Sequence, residues 1–182
     1  MRKKPEILAA ETVARTRLFH VEQLDLKFSN GVEVQYERLK SNSGGAVLVV
    51  PMLDNDTVML IREYAAGVHR YELGLPKGRI EPGEDMLVAA NRELMEEIGY
   101  GANQLEHLTA FTLAPGYLGH HTQIVLAQGL YLQSCDGDEP EELEVVPWSL
   151  SNLSELLIRD DVTEARSIAA LYMVRDLLGN KI

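Results

Sequence analysis

Between Gly78 and Tyr100 the chain reads GRIEPGEDMLVAANRELMEEIGY. Glu93, Glu96 and Glu97 stand three and four residues apart, so a helix through them sets their carboxylates along one edge, one turn from each other. Like charges so placed repel by roughly a few tenths of a kcal/mol in water, and by more where water is excluded. A hard divalent cation removes that penalty. Mg²⁺ takes oxygen ligands and is held by a few carboxylates together with the phosphates of a substrate. The chemistry this predicts is attack of water on a phosphate anhydride. The chain carries a formal charge of −11 and no GxxxxGK[ST] phosphate loop. Metals must therefore supply most of the positive field that screens the phosphate oxygens, lowers the pKa of a bound water and stabilises the leaving phosphate. A carboxylate acting as general base completes the activation, and no covalent enzyme intermediate is required.

The elements that must position these groups follow from the same stretch. Met86, Leu87, Ala90, Leu94 and Ile98 recur at spacings of three and four, which predicts a helix over 84–98 with one apolar stripe. Pro82-Gly83 is turn chemistry before it, and Gly99 suits the left-handed position that ends a helix. Arg92 can pair with Glu96 one turn on, or with another carboxylate, and so orient a metal ligand. Glu84 either complements the helix dipole or supports the site. By itself an acidic cluster of this kind reads as a solvated helix face.

Further along the chain, Phe19 and Val21, then Leu24, Leu26 and Phe28, alternate around a slip between Val21 and Leu24. Val32, Val34 and Tyr36 follow a turn at Asn30-Gly31, which predicts a β-hairpin. Residues 41–45 read as a loop. Strands are expected over 46–52 and 57–62, joined by Asp54-Asn55-Asp56, then over 71–75, 105–113, 123–132 and 144–148. Asn152 with Glu155 three residues on resembles a capping box before a short helix. A longer helix over 163–178 would bury Ala165, Ile168, Ala169, Tyr172 and Leu178. The result is an α/β fold, a mixed sheet with helices on its faces.

Composition bounds the function. With 182 residues, 46% of them hydrophobic, the chain can bury an adequate core. A single cysteine, Cys135, allows no intrachain disulfide and suits a reducing compartment. No apolar run approaches a membrane span, and the basic start MRKKPEILAAE has no long apolar core behind it, so a cytoplasmic protein without a signal peptide is expected. The acidity argues against a nucleic-acid binder held by phosphate contacts.

Gly78, Glu84, Arg92-Glu93-Leu94, Glu96-Glu97 and Gly99 stand at the offsets of a Nudix box, and the chain resembles the Nudix hydrolases, which cut a nucleoside diphosphate linked to another group. Tyr100 stands where an aliphatic residue is usual, a departure that touches packing rather than chemistry. The resemblance implies a Nudix α/β/α sandwich over residues 43–182, preceded by an N-terminal extension with a β-hairpin over 1–42. It implies Mg²⁺, with Mn²⁺ as the alternative, held by Glu93, Glu96, Glu97 and the carbonyl of Lys77. Arg92 would support these ligands, and Glu93 or Glu96 would position the attacking water.

Pro115, sixteen residues after Gly99, resembles the marker of the ADP-ribose pyrophosphatase branch. The phrases ETVARTRLF, FSNGVEVQYER, LIREYAAG, YELGLPKG and GDEPEEL resemble the enzymes of that branch that act on ADP compounds. The resemblance implies hydrolysis of ADP-ribose, NADH and diadenosine polyphosphates with release of AMP, and a homodimer that exchanges N-terminal strands. Arg38 and Arg62 would then face phosphate or ribose, since arginine presents a planar fork suited to phosphate. Glu37 and Glu63 would hold hydroxyls or the adenine amine, and Tyr117 would stack on a base. Where many relatives carry an acidic residue before Leu-Pro this chain has Gly74, with Glu72 as a substitute. Where a catalytic glutamate often follows the marker proline it has Gly119-His120-His121, read here as exposed loop residues. The general base is thus left either in the box or in the acidic loop 136–142, at Glu139 or Glu141. Two other classes compete: a non-catalytic Nudix-fold sensor of ADP-ribose or NAD, and a pyrophosphatase that sanitises nucleoside triphosphates. An isomerase on the same fold would need a poised cysteine, and Cys135 lies in no such motif.

Overall fold

The computed structural model describes residues 2–41, 44–137 and 139–179. The expected boundary between 42 and 43, part of the loop 41–45, and Asp138 of the acidic loop lie outside the described residues. The chain forms two compact units, Met1–Ser43 with Thr112–His121, and Gly44–Phe111 with Thr122–Ile182.

In the first unit, β1 (Glu6–Arg15), β2 (His20–Lys27) and β3 (Glu33–Leu39) form an antiparallel sheet in that order. The expected hairpin is β2–β3. Its turn holds because Gly31 adopts φ 85° and the Asn30 side chain accepts from the Val32 amide at 3.1 Å. The sequence gives no warning of β1. EILAAETVAR lacks alternation, every residue of it is exposed, and it is held by its ladder to β2. The apparent slip in β2 also has a cause. Glu22 shares a buried face with Leu24, so a charged residue stands where the pattern asks for an apolar one. Burial of that charge is tolerated because Arg38 and Lys40 close on it at 2.6 and 2.9 Å. Their hydrogen bonds, Lys40's first, hold its carboxyl below the usual range. The segment 112–121 turns at Ala114, whose carbonyl accepts from Tyr117 and Leu118, and Leu39 bonds to Tyr117 and Gly119.

The second unit contains β4 (Ala46–Pro51), β5 (Thr57–Ala65), β6 (Arg70–Gly74), β7 (Lys77–Arg79), α1 (Met86–Glu97), β8 (Tyr100–Phe111), β9 (Thr122–Leu132), β10 (Glu144–Ser149), α2 (Leu153–Leu156) and α3 (Ala165–Gly179). One sheet runs β7-β4-β9-β8 and is mixed, because β4 and β9 are parallel while the other pairs are antiparallel. The other runs β10-β5-β6. Asp54 does close the expected turn, accepting from the amides of Asp56 and Thr57 at 2.8 and 2.7 Å. The strands it joins nevertheless enter different sheets and share only the bridge Met52–Val58. The reason is that β4 is apolar on both faces and must be covered on both. Val47 and Val49 join Ala90, Leu94 and Ile98 of α1, whereas Leu48 and Val50 join Ala170, Leu171 and Val174 of α3. Helices thus flank the sheet on its two sides, the expected α/β/α sandwich.

Two expectations about the last helices are corrected. Asn152 makes no side-chain capping bond. Asp56 instead holds the 3-10 turn Leu150–Asn152 that leads into α2, accepting from the Ser151 amide at 2.9 Å and from the Ser149 and Ser151 hydroxyls at 2.5 and 2.7 Å. In α3 the buried face is Ser167, Ala170, Leu171 and Val174, while Ala165, Ala169 and Tyr172 are exposed. Ser167 hides the true stripe. It is polar yet buried, because its hydroxyl donates to Glu164 at 2.9 Å and accepts from the Leu75 amide at 3.1 Å. Among the described residues no helix is long and apolar enough to cross a membrane.

Candidate metal and pyrophosphate site

Local chemistry places the carboxylates. Gly83 takes φ 85°, and Asp85, not Glu84, caps α1 by accepting from the amides of Leu87 and Val88 at 2.8 and 3.4 Å. Asp85 directly before an apolar run was the signal available in the sequence. Gly99, at φ 73°, ends the helix as expected, and Tyr100 begins β8 with its side chain against the α1 side of the core. With Ala89, Ala90 and Leu94 fully buried, the helix edge bearing Glu93 and Glu97 is turned inward. These two carboxylates are only 7% and 5% exposed.

β7 meets this edge. A Cβ on Gly78 would lie 2.0 Å from the carboxyl carbon of Glu93, so any other residue there would push that carboxylate aside. The Lys77 amide donates to Glu97 at 2.9 Å, and the Lys77 ammonium pairs with Glu63. Arg92 joins the remaining groups. Its Nε and Nη2 donate to Glu84 at 3.0 and 3.2 Å, its Nη1 to both Glu93 and Glu96 at 2.8 Å, and its Nη2 also to the Arg79 carbonyl at 2.9 Å. The pairing of Arg92 with Glu96 is the one expected from their spacing. Glu84 serves as Arg92's anchor, and also accepts from the Glu81 amide at 2.9 Å.

The charges are unequal in what they cost. Burial pushes the Glu97 carboxyl up to about 8, against the pull of Lys77. Burial also pushes Glu93 up, against Arg92. Glu84, hydrogen-bonded to Arg92, is held below the usual range. Among the described residues no three His, Cys, Asp or Glu side chains are gathered in ready metal-holding geometry; the Arg92 guanidinium reaches Glu93 and Glu96 there. The donor set nonetheless fits a hard divalent ion. It consists of oxygens only, two of the carboxylates are desolvated beyond what one guanidinium compensates, and the Gly78 backbone leaves Glu93 room.

Glu96 and Glu97 line a cleft of about 390 Å³ with Glu139, Glu141 and Glu142. Glu139 lies close in: its Oε2 would be 2.3 Å from a Cβ on Gly137, a Cβ that would also be 3.7 Å from the Glu96 Cβ. Its charge adds to the upward push on Glu93. Glu141 instead accepts from the Tyr71 hydroxyl at 2.6 Å, a contact that nothing in the sequence announces. A larger cavity, about 600 Å³ among Asp56, Ser151, Leu153 and Arg175, includes none of the clustered carboxylates. Volume alone does not locate the chemistry.

The other candidates fall in both units. Arg62 is tied to Glu144 at 2.7 Å and to Asp161 at 2.5 Å. Arg38 is tied to Glu22, and Glu37 and Tyr117 are exposed in the first unit. Glu72, the expected substitute for an acidic residue at Gly74, already has partners of its own. It is occupied by Arg70 and by the amide and hydroxyl of Thr163. Gly74 is small because α3 comes close, a Cβ there lying 3.2 Å from the Ser167 hydroxyl. His121 is exposed as expected, whereas His120 is half-buried. Cys135 is free and exposed.

Comparison with known proteins places the chain in a family. Residues 43–172 match the NUDIX domain, and residues 5–38 match the NudE-type Nudix hydrolase N-terminal domain. The chain belongs to the Nudix hydrolase superfamily. It is 52% identical over 176 residues to ADP compounds hydrolase NudE of Escherichia coli (strain K12), spanning 97% of this chain and 94% of that one. It is 29% identical to the ADP-ribose pyrophosphatase of Bacillus subtilis (strain 168), over 92% and 94% of the two chains. A crystal structure of an ADP compounds hydrolase superposes with a TM-score of 0.92 at 50% identity, covering 100% of this chain and 97% of the other.

Proposed function

We propose that this protein hydrolyses the pyrophosphate bond of ADP-linked compounds, among them ADP-ribose, NADH and diadenosine polyphosphates, and releases AMP. The observation that carries the reading is the pair of buried carboxylates, Glu93 and Glu97, with Glu93 so close to Gly78 that a Cβ there would displace it. Burying such charge is costly without a counter-cation. The likeness to an ADP compounds hydrolase over nearly the whole chain supports the substrate class.

Glu93, Glu96, Glu97 and the Lys77 carbonyl would hold Mg²⁺, or Mn²⁺ in its place. When bound, the metal supplies Lewis acidity and charge neutralisation at the diphosphate. The chain's own residues do the rest. Arg92, anchored on Glu84, fixes the directions of Glu93 and Glu96. Glu139, on the cleft wall, takes the proton of the attacking water as general base. Arg62 and Glu63 are the substrate contacts offered by the second unit, and Glu37, Arg38 and Tyr117 are those offered by the first. Neighbours already direct the two arginine forks. A homodimer formed through the N-terminal strands fits the full exposure of β1, including Ile7, Leu8 and Val13. The compartment is the cytoplasm.

The test is a substrate panel with Mg²⁺ in H₂¹⁸O, identifying which phosphorus gains the label. Rapid release of labelled monophosphate products from ADP-ribose or its analogues supports the reading. Faster turnover of nucleoside triphosphates would make it a triphosphate pyrophosphatase, and binding without phosphate chemistry would make it a sensor.

A further inference from the structure

The β5–β6 hairpin carries features that the carboxylate cluster does not use. At its tip the Ala65 carbonyl accepts from Val68 and His69, and His69 holds φ 55°, a conformation uncommon for a side chain with a Cβ. The His69 ring offsets that strain through Nδ1, 2.5 Å from the Tyr64 hydroxyl. Tyr64 in turn meets Tyr71, its partner across the ladder, edge to face at 5.8 Å. Next along β6, Glu72 accepts from Arg70 and from Thr163, which ties the strand to the approach to α3. Tyr71 thus sits on a strand fixed on both sides. Its hydroxyl donates to Glu141, seventy residues further along the chain.

Glu141 belongs to the acidic stretch that lines the cleft with Glu96, Glu97 and Glu139. Like charges crowded around one cleft drive such a stretch outward. Among the described residues the donor recorded for the Glu141 carboxylate is a neutral phenol. A phenol can hold the stretch in place without cancelling the negative field that a divalent ion needs. Hydrogen bonding to Glu141 pushes the Tyr71 hydroxyl up, so it keeps the proton that it donates.

We infer that Tyr71 is a positioning residue: through Glu141 its hydroxyl holds residues 139–142 against the cleft, and so keeps the Glu139 carboxylate beside Glu93 and Glu96. The activity part of this inference rests on the hydrolase reading above, while the structural part does not.

The experiment compares wild type, Tyr71→Phe, Glu141→Ala and the double variant. It reads hydrogen exchange of the Glu139, Glu141 and Glu142 amides together with kcat and KM for ADP-ribose in Mg²⁺. Tyr71→Phe keeps the ring and its contact with Tyr64, so a purely structural role for the ring leaves all readouts unchanged. The inference expects faster exchange over 139–142 in both single variants. It expects kcat to fall about tenfold, as misplacement of a reacting group does, with KM changed less than about twofold. The double variant should be no slower than the slower single one, because both remove the same contact. Unchanged exchange in Tyr71→Phe, faster exchange with unchanged kcat, or losses that multiply in the double variant would each overturn it. Should wild type fail to cleave any ADP-linked compound, the hydrolase reading falls, and the exchange result alone decides whether Tyr71 holds the stretch.

Discussion

Glu93 lies so close to Gly78 that a side chain there would displace its carboxylate. The carboxylate spacing was legible in the sequence because helical periodicity converts offsets of three and four into a shared edge. The reason for glycine at 78 was not, since it is a distance between β7 and α1. Gly78→Ala should displace Glu93 and lower kcat by about a hundredfold, the scale of a misplacement near 1 Å, with circular dichroism unchanged. Wild-type turnover in that variant would show that the close approach is not needed. Glu97 carries a second prediction. Its folded pKa, about 8, exceeds the ordinary carboxylate value, so its contribution to stability is complete below pH about 4 and is lost as pH rises through about 8. Melting in EDTA should therefore show Tm falling across that window. Glu97→Gln should flatten the fall and abolish hydrolysis, and Mg²⁺ should raise the wild-type Tm most at the alkaline end. A wild-type Tm in EDTA that is flat from pH 5 to 9 would contradict the burial of an uncompensated carboxylate.

The elements divide according to whether local rules or distant contacts make them. α1, the strands other than β1 and β7, and the Asn30-Gly31 turn could be read from periodicity and turn residues, because those signals lie within a few residues of each other. β1, the buried face of α3 and the start of α2 could not. β1 exists through its ladder to β2. In α3 a buried serine satisfied by Glu164 and Leu75 breaks the apolar stripe. Just before α2, Asp56, more than ninety residues away, caps the 3-10 turn Leu150–Asn152 instead of Asn152 capping the helix. Asp56→Ala should therefore cost about 1–2 kcal/mol, the range for lost caps, whereas Asn152→Ala should stay within about 0.5 kcal/mol. Urea midpoints of the two variants measure the contrast, and equal shifts would return the capping role to Asn152.

The whole molecule distributes its parts so that one unit holds the carboxylates and the other exposes a strand. Its formal charge of −11 makes divalent ions the natural source of positive field at an anionic substrate. The exposed apolar side chains of β1 invite a partner copy. Light scattering should give twice the mass of one chain, and Val13→Glu should shift the population toward monomer. A monomeric wild type would remove the dimer from the account. The α/β class was legible from strands and helices in sequence, whereas the α/β/α layering was implied by the resemblance to the Nudix hydrolases. The division of β4 between two helix-covered cores explains it physically.

The most direct test is a crystal structure grown with Mg²⁺ and an unreactive ADP-ribose analogue. The account predicts metal density about 2.0–2.2 Å from carboxylate oxygens of Glu93, Glu96 and Glu97, between them and the analogue's diphosphate, with Arg92 still on Glu84. Metal bound elsewhere, with these three side chains making no contact to it or to the diphosphate, would contradict the central claim.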